Sequence, residues 1–249
     1  MYDSYAEIFS ERAAAYHRAM VMCPHARAAE FEAVCSPLLA RGAKRVCDIP
    51  AGGGYLSAFL PKDCCYTAVE PAADFARECR DAVVVQAKLS EVPLPSASFD
   101  GVVSLAGLHH EPDKLPVLKE FRRLVDANGI CVVADVAAGT AAAHFLNGYV
   151  DRHSSTGHKG HFLDEDFDTL LAEAGMNVLA DETVLMPWRF PSRRAAGRYS
   201  KLLFGLNVTA AEVEAELATT IGFTVSSTTV YLNWSLRKVV CEPNVRLRN

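Results

Sequence analysis

Two hydrophobic periods alternate through the middle of this chain, and their order predicts the fold class. Val46, Cys47 and Ile49 form a short apolar run that feeds the turn Gly52-Gly53-Gly54, after which Leu56, Phe59 and Leu60 recur at helical spacing up to Pro61. A second run, Cys65 to Val69, ends at an acid, Glu70. A helix over about 72–80, a short buried strand at Ala82–Val85, the run Gly101–Leu105 and the apolar stretch Ile130–Asp135 continue the alternation. Before that last stretch, Leu115, Leu118, Phe121, Leu124 and Val125 make one buried helical stripe, with Asp113 as N-cap, Pro116 in the first turn and a turn at Asn128-Gly129. Strands alternating with helices require a doubly wound, mostly parallel sheet with right-handed crossovers.

The flanks carry different patterns. Residues 2–20 place Tyr2, Tyr5, Ile8, Phe9, Tyr16 and Met20 on the face of an amphipathic helix, and a second helix spans roughly 25–40 between Pro24 and Gly42. Residues 137–162 read as mixed helix and Gly/Ser loop containing His144, His153, His158 and His161. Asp164 caps a helix bearing Phe167, Leu170, Leu171 and Ala174 that Gly175 ends, and Asn177–Leu185 is a strand. Ser192 opens a helix with Ala195, Ala196, Tyr199, Leu202, Leu203 and Leu206 inward and a basic stripe, Arg194, Arg198 and Lys201, which reads as a solvated face, with binding of an anionic group of the acceptor as the alternative. Thr209-Ala-Ala-Glu212 is a capping box for the next helix, so residues 186–227 form a small helical cap. Thr228–Cys241 alternates as one long strand.

Composition narrows the partners. With 249 residues, half of them apolar, the chain can bury a sizeable core in a single domain over 1–249. A net charge of −5 argues against a nucleic-acid binder, whose phosphate contacts need a basic face, and favours a small-molecule ligand. Eight cysteines without a C-x-x-C pair fit a reducing compartment. No basic-then-apolar leader and no membrane-length apolar run is found, so the expected location is cytoplasmic, with no membrane partner. Oligomeric state is open.

The glycine turn carries the chemistry. Glycines let the backbone pass close to a ligand, and an acid at the next strand's tip can accept both hydroxyls of a ribose. Gly52, Gly54 and Ser57 fill a dinucleotide G-x-G-x-x-G pattern only loosely. Asp48-Ile-Pro-Ala-Gly-Gly-Gly instead resembles the D-x-G-x-G-x-G loop of class I S-adenosylmethionine-dependent methyltransferases. Three further blocks resemble that family in its order: Leu94-Pro-Ser-Ala-Ser-Phe-Asp100, Leu108-His109-His110, and Leu118 to Gly129, which is similar to L-x-E-x-x-R-V-L-K-P-G-G. Together they cover about residues 44–136.

The resemblance implies a Rossmann-like sheet of about seven strands with an antiparallel last strand, and S-adenosylmethionine as cofactor. It divides the chain into N-terminal helices (1–43), a cofactor-binding core (44–136), a lid-like loop (137–162) and the cap. Asp48, Pro50, Ala51, Gly52, Gly54, Glu70, Pro71, Ala87, Lys88, Leu89 and Ser104 are the expected donor site. Two positions depart from the family. Pro50 replaces a loop glycine, and Lys88 stands where an acid usually accepts from the adenine amine. Either a backbone carbonyl takes that amine, with the amides of Ala87 and Leu89 on the ring edge, or the alignment slips by one residue; Lys88 itself reads as a solvated loop charge.

His109 and His110 follow the fourth strand, beside the expected methyl group, as orienting residues or as a base. His158 and His161 are expected to face the acceptor from a mobile cover over 144–162, hinged at Gly148, Gly157 and Gly160. No metal is expected, because no two of the histidines at 144–161 have the i, i+4 spacing of a helical pair. The absence of an Asn-Pro-Pro-Tyr-type motif after Val103 favours a small-molecule methyl acceptor over nucleic acid or protein. An NAD(P)-dependent oxidoreductase and a cofactor-binding regulatory protein without turnover are the alternatives.

Overall fold

Successive residues of the central strands serve opposite faces of one sheet, which turns the apolar runs into two packed layers. Val46, Val103 and Val132 belong to one core cluster, while their neighbours Cys47, Val102 and Val133 belong to the other. The computed structural model describes residues 5–80 and 82–244. Tyr2 of the expected aromatic face lies outside them.

The chain begins with α1 (Tyr5–Met22) and α2 (Ala28–Ala40), then β1 (Arg45–Asp48), a 3-10 turn at Tyr55–Phe59 and β2 (Cys65–Val69). Next come α3 (Ala73–Ala76), β3 (Val83–Val85), β4 (Phe99–Leu105), a second 3-10 turn at Leu108–His110, α4 (Leu115–Leu124) and β5 (Val125–Asp135). A continuous helical run follows, made of α5 (Ala141–His144), a π-helix (Phe145–Val150) and α6 (Asp151–His153). The remainder is α7 (Phe167–Glu173), β6 (Met176–Leu185), β7 (Trp188–Phe190), α8 (Arg193–Phe204), α9 (Ala210–Thr220), β8 (Phe223–Val225), β9 (Val230–Leu232) and β10 (Ser235–Pro243).

Seven strands form the main sheet in the order β3-β2-β1-β4-β5-β10-β6. Strands β1 to β5 pair in parallel, and β10 runs antiparallel to both β5 and β6. The expected Rossmann-like sheet with its antiparallel last strand is therefore present. Helices α4 and α7 cover one face through Leu118, Phe121, Phe167 and Leu171, and α2 covers the other through Phe31, Val34 and Leu38. Both faces of the central parallel strands β1, β4 and β5 are thus covered, as such sheets require.

Several elements differ from their sequence patterns. The predicted strand Thr228–Cys241 is two strands in two sheets: β10 pairs with β6, while β9 pairs with β7 and β8 in a separate three-stranded sheet. Leu185 opposes Ser235 and Trp188 opposes Leu232, so one antiparallel ribbon bends at Met186-Pro187 and Asn233-Trp234. The period of two survives the bend, with Val230, Leu232, Trp234 and Leu236 all buried. The cap is consequently mixed, two helices on a small sheet, rather than helical. Ser192 and Thr209 cap α8 and α9 as expected, the latter with a full capping box.

At the opposite edge, Val83 is 63% exposed, because β3 has a neighbour on one side only. Three valines in a row do not distinguish a buried strand from an edge. The expected helices after Gly54 and Pro71 shrink to the single 3-10 turn and the four-residue α3. Helices α4 and α7 begin two and three residues after Asp113 and Asp164, whose carboxylates accept from Leu115 N and Asp166 N in the preceding turns. Residues 137–162 depart most. Phe145, Leu146, Tyr149 and Val150 are buried in the core, and the following loop is tied down by Asn147 and Asp151 through Gly160 N, His158 N and Lys159 Nζ. This segment is built as a wall and not as a detached cover, since its helical spacing of apolar residues has a core to bury against.

Candidate active site

The carboxyl ends of β1, β2, β4 and β5 converge on two small neighbouring cavities. At the first, β1 ends in Asp48 and the chain turns through a cis Ile49–Pro50 bond into Ala51, whose N–H donates to Val69 O at 3.0 Å. Gly52 and Gly54 then take left-handed conformations, φ +55° and +73°, that favour glycine. Pro50 presses against Gly107 so closely that a Cβ there would lie 2.3 Å from the proline Cγ.

Glu70, at the tip of β2, is wholly buried and accepts three hydrogen bonds: from Gly52 N at 2.7 Å, Ala72 N at 2.8 Å and Tyr5 Oη at 3.1 Å. Burial pushes its carboxyl up to about 8 against the pull of those three donors. Burial likewise raises Asp48 to about 7, opposed by the Tyr66 hydroxyl at 2.8 Å. Tyr5 is itself raised, first by burial and then by Glu70. The cavity beside these groups measures about 50 Å³ and is bounded by Tyr5, Phe9, Gly52, Phe75 and Ala106. An acid at the strand tip beside left-handed glycines fits a ribose, and Tyr5 Oη occupies one of the positions a ribose hydroxyl would take on Glu70. A ribose bound there would take the place of the Tyr5 hydroxyl on Glu70.

The other expected donor residues are spread around this centre. Pro71 is half-buried and its carbonyl accepts from Gln86 Nε2 at 3.4 Å. Leu89 is buried in the core cluster beneath α4, with Ala87 packed against it, and Lys88 is exposed, its carbonyl accepting from Glu91 N at 3.2 Å. None of these three lines the cavity, and Lys88 is a solvated loop charge. Ser104 is buried in β4 with its hydroxyl unpartnered among the described residues.

The second cavity, also about 50 Å³, is organised by Asp135 at the end of β5. Its carboxylate accepts from His109 Nδ1 at 2.6 Å, from His109 N at 3.0 Å and from Val136 N at 2.7 Å. The imidazole is thereby held with Nδ1 toward the acid and Nε2 on the opposite edge of the ring. His158 reaches the same place from the far side of the molecule, with Nδ1 on Asn147 Oδ1 at 2.9 Å. The His109 ring centre lies 4.2 Å from that of His110 and 5.3 Å from that of His158. Burial, reinforced by His109, holds His110 and His158 well below the usual imidazole range, so both are neutral at pH 7. Nitrogens of the three rings lie within 4.8 Å of one another, a spacing that by itself would also suit a metal ion. His161 is not with them: its side chain is exposed, and only its backbone N–H touches the site, donating to His109 O at 2.7 Å.

Arg12 closes the second cavity from α1. It is 5% exposed; Nη2 donates to Leu203 O at 2.8 Å, while Nε and Nη1 have no partner among the described residues. The two cavities share Phe9, Tyr16, Arg27 and Ala106 as walls. Arg27 differs from Arg12 in being neutralised: its Nε donates to Glu30 Oε2 at 2.5 Å, and Trp188 Nε1 donates to the other oxygen at 2.7 Å.

Sequence patterning thus missed Tyr5 as a partner of Glu70, and missed Arg12, Asp135 and Asn147. Arg12 did leave a signal. It lies three residues after Phe9 and four before Tyr16, on the aromatic stripe, where a solvated arginine would not be placed.

A methyltransferase domain family model matches residues 47–133. The 27-O-demethylrifamycin SV methyltransferase of Amycolatopsis mediterranei is 33% identical over 141 residues, 54% of this chain and 51% of that protein. An uncharacterized methyltransferase of Mycobacterium bovis is 31% identical over 110 residues, 41% of this chain and 56% of that one. The chain spans about half the length of the curated relatives it matches. Among solved structures, a SAM-dependent methyltransferase of Thermotoga maritima, described as a possible histamine N-methyltransferase, superposes with a TM-score of 0.63 at 16% identity. That match covers 95% of this chain and 98% of the other, and it speaks for the fold.

Proposed function

We propose, from a core that belongs to the class I S-adenosylmethionine-dependent methyltransferase family, that this chain methylates a small molecule held in the histidine cavity. The observation that carries this reading is the common wall. A donor anchored at Glu70 would lie next to the second cavity, and an in-line displacement would bring donor and acceptor together past their common boundary at Phe9 and Ala106. S-adenosylmethionine, when bound, supplies the sulfonium methyl group.

The chain's own residues divide the remaining work. Glu70 accepts the ribose hydroxyls in place of Tyr5, and the left-handed turn at Gly52 and Gly54 lets backbone approach the ligand. His109, fixed by Asp135, offers Nε2 to a proton leaving the acceptor. Aromatic walls exclude water, which strengthens every polar contact within. The relative named for 27-O-demethylrifamycin SV supports a small-molecule acceptor. No helix of the described residues is long and apolar enough to cross a membrane, and Cys35, Cys47, Cys79, Cys131 and Cys241 are buried as free thiols, which supports a reducing, cytoplasmic setting.

Calorimetric titration tests the donor assignment. S-adenosylmethionine and S-adenosylhomocysteine should bind and NAD(P) should not, with methyl transfer then sought across small hydroxy, amino and carboxylic compounds. Binding of NAD(P) alone would overturn the reading.

A further inference from the structure

Burying a guanidinium among aromatic rings leaves two donor nitrogens, Nε and Nη1, and one positive charge without compensation at Arg12. Such a group is costly unless something completes it. Among the described residues no carboxylate pairs with it, in contrast to Arg27, which holds Glu30 in the same wall. His110 and His158 beside it are held neutral by burial, and an imidazole brings no negative charge. A divalent cation on His109, His110 and His158 would worsen the imbalance, whereas an anion would remove it. The rest of the lining is apolar or aromatic: Phe9, Val136, Leu146, Phe204 and Trp234.

We propose that Arg12 is the anion-binding residue of the acceptor cavity, and that the methyl acceptor has an apolar body bearing one anionic oxygen group, a carboxylate. This rests on the methyl-transfer reading and names the acceptor class within it. Arg12 Nε and Nη1 take the oxygens, the aromatic side chains take the body, and the atom to be methylated lies on the His109 side, toward the donor. The specificity is for charge: a neutral amide of the same shape leaves the guanidinium as it is now, buried and unpaired.

The test is calorimetry on the full chain with saturating S-adenosylhomocysteine, using benzoate, benzamide and inorganic phosphate as probes. Benzoate should bind at least about 10-fold more tightly than benzamide. Phosphate, which lacks an apolar body, should bind more weakly than benzoate. Arg12→Gln should erase the preference for the acid, and Arg12→Lys should keep part of it. Should Arg12→Gln fail to fold by circular dichroism, the wild-type comparison and the lysine variant still decide. Equal affinities for benzoate and benzamide, a preference that survives Arg12→Gln, or phosphate binding more tightly than benzoate would each overturn the proposal. So would stoichiometric micromolar binding of Zn²⁺ to the wild type that is lost in His158→Ala. Absence of heat with S-adenosylhomocysteine would instead count against the donor reading, and the benzoate and benzamide titrations, repeated without it, would still report on Arg12.

Discussion

The two cavities are nearly equal in size and share a wall, yet they are built from different ionisable groups. One lies beside Asp48 and Glu70, two buried acids whose carboxyls are pushed up to about 7 and 8; the other is built on a buried, unpaired arginine with His110 and His158 kept neutral by burial. The first keeps two acids largely protonated near neutral pH, and the second holds a guanidinium that an anion would complete. Phe9, Tyr16, Ala106 and the Glu30-paired Arg27 line both, so the two lie side by side.

The contrast can be attacked from either side. The largest effect is expected on the basic side: Asp135→Asn should lower kcat by about 10²–10⁴-fold for an acceptor that must lose a proton, with donor affinity unchanged. Single-turnover kinetics beside donor titration measures both. On the acidic side, Glu70→Ala should weaken S-adenosylhomocysteine by about 10- to 100-fold in calorimetry while leaving benzoate binding intact. Loss at both sites in either variant would mean that the cavities are not separable.

A smaller change, in the opposite direction, comes from Tyr5→Phe. Removing the hydroxyl that competes for Glu70 should tighten donor binding by about 3- to 10-fold, read in the same titration. Acidity provides a fourth measurement. Glu70 and Asp48 bind protons more tightly in the folded chain than in the unfolded one, so stability is greatest below their unfolded values and is lost as pH rises through about 7 to 8. The melting temperature should fall between about pH 5 and pH 8, and Glu70→Gln should flatten that fall. The smallest effect belongs to the cap: Arg194 and Arg198 are exposed and Lys201 donates to Val208 O, so Arg198→Glu should change kinetic constants by less than about twofold.

The acidic cavity was far more legible in the sequence than the basic one. Asp48, the glycines and Glu70 lie within one strand-turn-helix-strand unit, so their spacing along the chain is their geometry. The basic cavity draws Arg12 from the first helix, His109 and Asp135 from two strand ends, and His158 from a loop held by Asn147; no local spacing encodes that meeting. His158 and His161, three residues apart, had equal standing as candidates, and only the path of the loop puts one inside and the other outside. The sheet itself was readable because parallel strands buried on both faces leave continuous apolar runs. What failed were the places where periodicity is blind: the bend at Asn233-Trp234, which keeps the strand alternation, and the valines of β3, whose exposure depends on what lies beside them.

Tyr5 and Arg12 are seven residues apart on α1, two turns and about 10 Å along one stiff rod. One end of that rod holds Glu70 and the other closes the neighbouring cavity. A displacement of the helix that takes Tyr5 off the acid would move Arg12 as well. Two ligands bound at its two ends would then be coupled, and the coupling would be reciprocal: whatever factor one imposes on the affinity of the other is returned. The strength of that coupling would be set by the first helix rather than by either pocket.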